Sequence, residues 1–96
     1  MASQPDTLTR QHLESLRRLL PNYLVLLHND DENSMDYVVQ VLLRVVPRLT
    51  VEEATLIMLE AHLKGKAVVV VCPKETAEFY RAGLESYGLT STIEPE

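Results

Sequence analysis

The apolar positions change period several times along the chain. From Tyr23 to His28 they form a short unbroken run, Tyr23-Leu24-Val25-Leu26-Leu27, rich in strand formers and bounded by Pro21-Asn22 and Asn29-Asp30-Asp31. This predicts a buried strand. Asn29 to Ser34 is a polar loop in which Asn33 or Ser34 can cap the next helix, with Asp36 favourable in its first turn. Met35, Val38, Val39, Leu42, Val45 and Val46 then recur at helical spacing up to Pro47, predicting a helix over 35–46. Thr50-Val51-Glu52-Glu53 has the form of a capping box and opens a second helix, expected from Val51 to Lys64 and stopped by Gly65. The run Ala67 to Cys72 predicts a second buried strand. Pro73 is expected as the first residue of a third helix carrying Ala77, Tyr80, Arg81 and Leu84 to about Tyr87-Gly88. Leu89 to Ile93 predicts a last short strand.

The first 21 residues read differently. Met1 to Asp6 is polar, while Leu8, Leu13, Leu16, Leu19 and Leu20 follow at roughly helical spacing with Arg10, Arg17 and Arg18 between them. The expectation is an N-terminal extension, residues 1–21, flexible or partly helical and stopped by Pro21. It precedes one domain, residues 22–96, of strand-helix-helix-strand-helix-strand order.

With 96 residues the chain has room for one core and little for a deep cofactor cleft. The net charge of −5 argues against nucleic acid and against an anionic membrane surface. A single cysteine, Cys72, permits no internal disulfide and suits a reducing cytoplasm; at the end of an apolar run it reads as buried filler. No apolar stretch approaches a membrane span, and the N-terminus lacks the apolar core of a signal peptide.

Two stretches could carry chemistry. His28-Asn29-Asp30-Asp31 sets four polar groups at the point where a buried strand turns into a helix. Its plainest reading is a capped turn. Ala54, Ile57, Met58, Ala61 and His62 share one face of the second helix, where the plainest reading is a core stripe ending in a satisfied histidine. A small metal-assisted or acid–base enzyme using His28, Asp30, Asp31 and His62 is the alternative, although no pair has the spacing of a strong metal motif. No nucleophile motif and no glycine-rich phosphate loop is present. A ribosomal-stalk-like interaction domain is a third reading, by fold analogy alone.

Read together, three blocks resemble the ClpS family of Clp protease adaptors. They are Tyr23 to Asp31, ending in Asn-Asp-Asp; Ser34-Met35-Asp36-Tyr37-Val38; and Ala54-Thr55 through Met58 and His62 to Gly65-Lys66-Ala67. The Val68 to Cys72 run and the ending Leu89 to Pro95 are similar to the branch of photosynthetic bacteria and plastids. The resemblance implies an α+β sandwich, three helices packed on a three-stranded antiparallel sheet. It also implies a non-enzymatic adaptor, without cofactor, that binds N-degrons beginning with Leu, Phe, Tyr or Trp. Such an adaptor docks on the N-terminal domain of the ClpC or ClpA unfoldase, which works with ClpP.

By position, the resemblance implies that Asn29, one or both of Asp30 and Asp31, and His62 hold the free α-amino group. Asn33, Met35, Val38, Met58, Ala61 and Leu89 belong to the side-chain pocket, with Asn33 at its rim. Glu75 and Tyr80 fall where the family meets the unfoldase. Four departures stand out: Ala61 where the family often has Val, Glu32-Asn33-Ser34 at the rim, a Pro47 to Thr50 loop longer than in common members, and Tyr80 where a basic residue is frequent.

Overall fold

The local signals act where they stand. In the computed structural model, residues 9–13, 15–16 and 20–96 are described. Six elements follow one another: β1 Asn22–His28, α1 Met35–Val45, α2 Val51–Lys64, β2 Lys66–Pro73, α3 Lys74–Ser86 and β3 Thr90–Pro95. Ser34 caps α1, its hydroxyl accepting from the Tyr37 N–H at 3.1 Å. Both halves of the α2 capping box form: Glu53 N–H donates to Thr50 Oγ1 at 3.1 Å and Thr50 N–H to Glu53 Oε1 at 2.9 Å. Gly65 ends α2 in the left-handed region at φ 96°, a conformation glycine takes without a Cβ penalty.

The strands form one antiparallel sheet of order β2-β1-β3. Helix α2 rests on β2, α3 on β3 and β1, and α1 bridges α2 and α3. Val25 and Leu27 from the sheet, Leu42 and Val46 from the first helical segment, Ala54 and Met58 from α2 and Leu84 from α3 share one core. The one buried polar side chain among the described residues, Ser91, donates to the Leu26 carbonyl at 2.7 Å, so the core carries no unmet hydroxyl there.

Three expectations shift. Pro73 ends β2 and stands as the N-cap of α3, not as its first helical residue. The valine run is not buried on both sides: Val68 is 43% exposed, because only one face of the sheet is covered by helices. A β-bulge also interrupts the register, with Val25 opposite Val70 and Leu26 opposite Val68. Val69 is the extra residue, and Val69 and Val70 are therefore buried side by side. Met35, expected on the core stripe of α1, is 45% exposed, while Val41, outside that stripe, is buried.

Residues 9–13 and 15–16 are helical. The remainder of the N-terminal expectation, including Leu8, Arg17, Arg18 and Leu19, lies outside the described residues. Cys72 is buried, and burial pushes its thiol pKa up, with Arg48 opposing only in part. The thiol is held in its unreactive neutral form.

Helices α1 and α3 approach closely at Gly83. A Cβ built there would stand 2.8 Å from Val45 Cγ1. Valine is stiff at χ1 and cannot swing away freely. Gly83→Ala is expected to destabilise the fold by about 1–2 kcal/mol, the overpacking exceeding the gain in helix propensity. In a Val45→Ala background the same change is expected to be neutral or to stabilise by up to about 1 kcal/mol. Denaturant unfolding of the four proteins checks this; equal effects of Gly83→Ala in both backgrounds would contradict the close approach.

Candidate functional site

The site begins with one backbone bond. As β1 ends, the Asn29 N–H donates to the carbonyl of Gly65 at 2.9 Å. The end of the central strand is thereby tied to the end of α2. Asn29, Asp30 and Asp31 come to lie beside His62, 31 residues or more away in sequence.

Asp30 then turns the chain. Its Oδ1 accepts from the N–H groups of Glu32 at 3.0 Å and Asn33 at 2.8 Å, and its Oδ2 accepts from Asn33 Nδ2 at 3.2 Å. Burial alone pushes the Asp30 pKa up, but these three donors together outweigh it and hold the carboxyl below its ordinary value. The Asn33 amide also donates to the Gly88 carbonyl at 3.1 Å, and the Tyr37 hydroxyl donates to the Tyr87 carbonyl at 2.6 Å. The loop is thus braced against the turn between α3 and β3.

Between loop, α1 and α2 lies a cavity of about 260 Å³. Its apolar wall is Leu27, Val38, Met58 and Ala61, with the exposed Met35 among the lining residues. Helical spacing sets this wall: Met35 and Val38 are i, i+3 on α1, and Met58, Ala61 and His62 are i, i+3, i+4 on α2. The polar lining is Asn29, Asp30, Asp31, Asn33 and His62, with His28 and Ser34. The volume lies below the usual range of ligand pockets and suits one bulky side chain rather than a cofactor.

The polar groups divide into two sets. Asp30 and Asn33 satisfy each other and the loop backbone. The side chains of Asn29, Asp31 and His62 form no hydrogen bond with the described residues, and Asn29, Asp31 and His62 are exposed. Carboxylate and amide oxygens and a neutral imidazole nitrogen are acceptors, so this set can take up a donor-only cation.

The sequence reading placed most of these residues together, and the structure gathers Asn29, Asp30, Asp31, Asn33, Met35, Val38, Met58, Ala61 and His62 around one cavity. Leu89 is not among the lining residues: it follows the Gly88 turn and is buried in the core. Glu75 is exposed in the first turn of α3, and Tyr80 is half-buried against the core with its ring centroid 6.0 Å from that of Phe79. Neither lines the cavity. Leu27 and Ser34 line it without having been singled out, and the Tyr37–Tyr87 bond was missed; a tyrosine three residues after a cap carries no sequence signal for a partner 50 residues away.

The four residues of the acid–base alternative, His28, Asp30, Asp31 and His62, all line the cavity, but two of them are engaged elsewhere. His28 Nε2 sits 2.7 Å from Thr92 Oγ1, and Asp30 is engaged in the loop. No three His, Cys, Asp or Glu side chains converge as a metal site requires among the described residues.

Comparison with known proteins places this geometry. The family model for "ATP-dependent Clp protease adaptor protein ClpS" matches residues 19–92. An ATP-dependent Clp protease adapter of Synechococcus elongatus is 48% identical over 91 residues, 95% of this chain and 96% of its own length. A chloroplastic Clp protease adapter of Chlamydomonas reinhardtii is 53% identical over 83 residues, 86% of this chain and 51% of its own. Among solved structures, Agrobacterium tumefaciens ClpS2 bound to L-phenylalaninamide superposes with a TM-score of 0.71 at 35% identity, over 79% of this chain and 98% of that one. The six-element fold, the Asn-Asp-Asp loop against the α2 histidine and these similarities lead to one statement: the chain belongs to the ClpS family and is a Clp protease adaptor, not an enzyme.

Proposed function

We propose that the cavity captures the first residue of a cargo polypeptide beginning with Leu, Phe, Tyr or Trp. The cargo side chain enters against Val38, Met58 and Ala61, while its α-ammonium meets Asn29, Asp31 and His62. Asp30 acts mainly by shaping the loop that presents them. Leu89 supports the rim from the core behind the Gly88 turn. The observation that carries this reading is the set of three acceptors, unpartnered among the described residues, that line an apolar cavity. The Agrobacterium relative supports it, because its ligand joins a free α-amine to an aromatic side chain.

Selectivity for a chain end follows from hydrogen-bond supply. An ammonium offers three donors, whereas an internal peptide N–H offers one. Each acceptor that is covered but left unpaired costs about 1–3 kcal/mol. The side-chain pocket adds apolar burial, and Met35 and Met58 adapt to Leu or to an aromatic ring. The adaptor then presents the cargo, in the cytoplasm, to the N-terminal domain of ClpC or ClpA, for degradation with ClpP. Glu75 and Tyr80 on α3, with the 71% exposed Phe79 beside them, form the docking face.

Two measurements test this reading. Peptides varied only at the first residue are expected to bind when they begin with Leu, Phe, Tyr or Trp, and to lose most of their affinity when they begin with Gly, Ser or Asp. A peptide with one glycine added ahead of the leucine is expected to lose it as well. Binding indifferent to the first residue, read by fluorescence anisotropy, would remove the capture of chain ends.

Met35 should set the shape that is admitted. Val and Ile carry two heavy atoms on Cβ, where a neighbouring methionine crowds them; Leu and the aromatics branch one carbon later. Met35→Ala is expected to raise the ratio of Ile-peptide to Leu-peptide affinity. Because Met35 is 45% exposed, little loss of stability should accompany it. An unchanged ratio would reject the gate.

A further inference from the structure

Helix α1 carries an apolar track away from the cavity. Met35, Val39 and Leu43, at i, i+4 and i+8, form one ridge of the helix. Met35 lines the cavity and is exposed, while Val39 and Leu43 are half-buried. Leu43 also lines a second, shallower groove of about 500 Å³, together with Tyr37, Gln40, Val41, Arg44 and Tyr87. The ridge therefore runs from one depression to the other, over about 12 Å of helix.

The groove is firmly built, and its charge is positive. The Tyr37 hydroxyl donates to the Tyr87 carbonyl at 2.6 Å, which holds the turn after α3 against α1. The Arg44 guanidinium stands over the Tyr87 ring, 6.0 Å from its centroid, and so is oriented while Arg44 stays exposed. Arg44 is the charged side chain of the groove lining, and no carboxylate pairs with it among the described residues. The cavity mouth has the opposite sign. Asp31 lines the cavity, Glu32 follows it, Asp36 follows Met35, and all three are exposed. Asp36 and Arg44 are about 12 Å apart along α1, more than the Debye length of about 8 Å, so a bound chain meets the two fields separately.

Resting on the capture of chain ends proposed above, we infer that track and groove form a second subsite for the same cargo chain, one that reads an acidic side chain at its fifth residue. The ammonium of the first residue is held from the loop after β1 and from α2, by Asn29, Asp31 and His62, so the chain leaves on the other side, past Met35 and onto α1. In an extended chain the first, third and fifth side chains point the same way, and four residue steps cover about 13 Å, the length of the ridge. With the first side chain in the cavity, the third lies on Val39 and the fifth reaches Leu43 and Arg44. Asp or Glu at that fifth place meets the guanidinium, whose planar fork suits a carboxylate.

Fluorescence anisotropy with Leu-initiated peptides carrying Glu or Gln at the fifth residue tests this. The wild type is expected to bind the Glu peptide about two- to fivefold more tightly, the scale of an exposed ion pair. The net charge of −5 works against any anionic peptide, so a gain singles out a local cation. The gain is expected to shrink in about 0.5 M salt, to vanish in Arg44→Gln and to survive in Arg44→Lys, which keeps the charge. Moving the Glu to the eighth residue is expected to forfeit it. Equal affinities of the two peptides for the wild type, with Leu-initiated peptides still preferred over Gly-initiated ones, overturn the subsite and leave the capture of chain ends standing. Loss of the preference for Leu over Gly removes the capture of chain ends, and the subsite with it. A gain that persists in Arg44→Gln, or is as large with Glu at the eighth residue, overturns the subsite by placing the source of the gain elsewhere.

Discussion

The bond from Asn29 N–H to the Gly65 carbonyl is the joint on which the site depends. It ties the residue that follows the central strand to the left-handed cap of α2. Everything polar in the site is referred to that joint. Upstream, β1 is fixed by antiparallel pairing on both edges. Downstream, Gly65 reverses the chain directly from α2 into β2, with no residue to spare between Lys64 and Lys66. His62 therefore has a fixed distance to the Asn-Asp-Asp loop, set by backbone rather than by flexible side chains. A site built this way is organised before a ligand arrives, and little ordering entropy remains for binding to oppose.

The loop shows a division of labour between adjacent acids. Asp30 meets three N–H donors and stays ionised through them; Asp31 meets none among the described residues. One carboxylate builds the turn and the other is the one proposed to meet a cation. The same logic extends outward through Asn33, whose amide reaches both Asp30 and the Gly88 carbonyl, and through Tyr37 to the Tyr87 carbonyl. These bonds brace the cavity against the end of α3, the helix whose opposite end carries Glu75 and Phe79. The adaptor's two proposed contacts, cargo and unfoldase, thus both bear on α3.

Local signals were legible in the sequence, and tertiary ones were not. The capping box at Thr50 and Glu53 involves residues three apart, so the chain's order of residues specifies it and both bonds form. The same holds for Ser34 and for Gly65. The Val68 to Cys72 run defeated pattern reading because a string of valines has no alternation; it cannot reveal a bulge at Val69 or the open side at Val68. The grouping of Asn29, Asp30, Asp31 and His62 was read from family blocks, and no periodicity links positions on a loop and a helix so far apart. Leu89 and Asp30 illustrate the remaining gap. Leu89, expected in the pocket, is buried in the core instead, and Asp30 is taken up by the loop; the direction of each depends on the Gly88 turn and on Asn33, which only the folded chain brings near.

The account stands on the claim that the unpartnered acceptors recognise a free α-amine. Its most direct test is a thermodynamic cycle between His62→Ala and acetylation of a Leu-initiated peptide, with four affinities measured by titration calorimetry. The account predicts that His62→Ala weakens the free peptide by roughly 1–3 kcal/mol and leaves the already weakened acetylated peptide nearly unchanged. Equal losses for both peptides, with the variant folded, would show that His62 does not meet the amine and would contradict the claim.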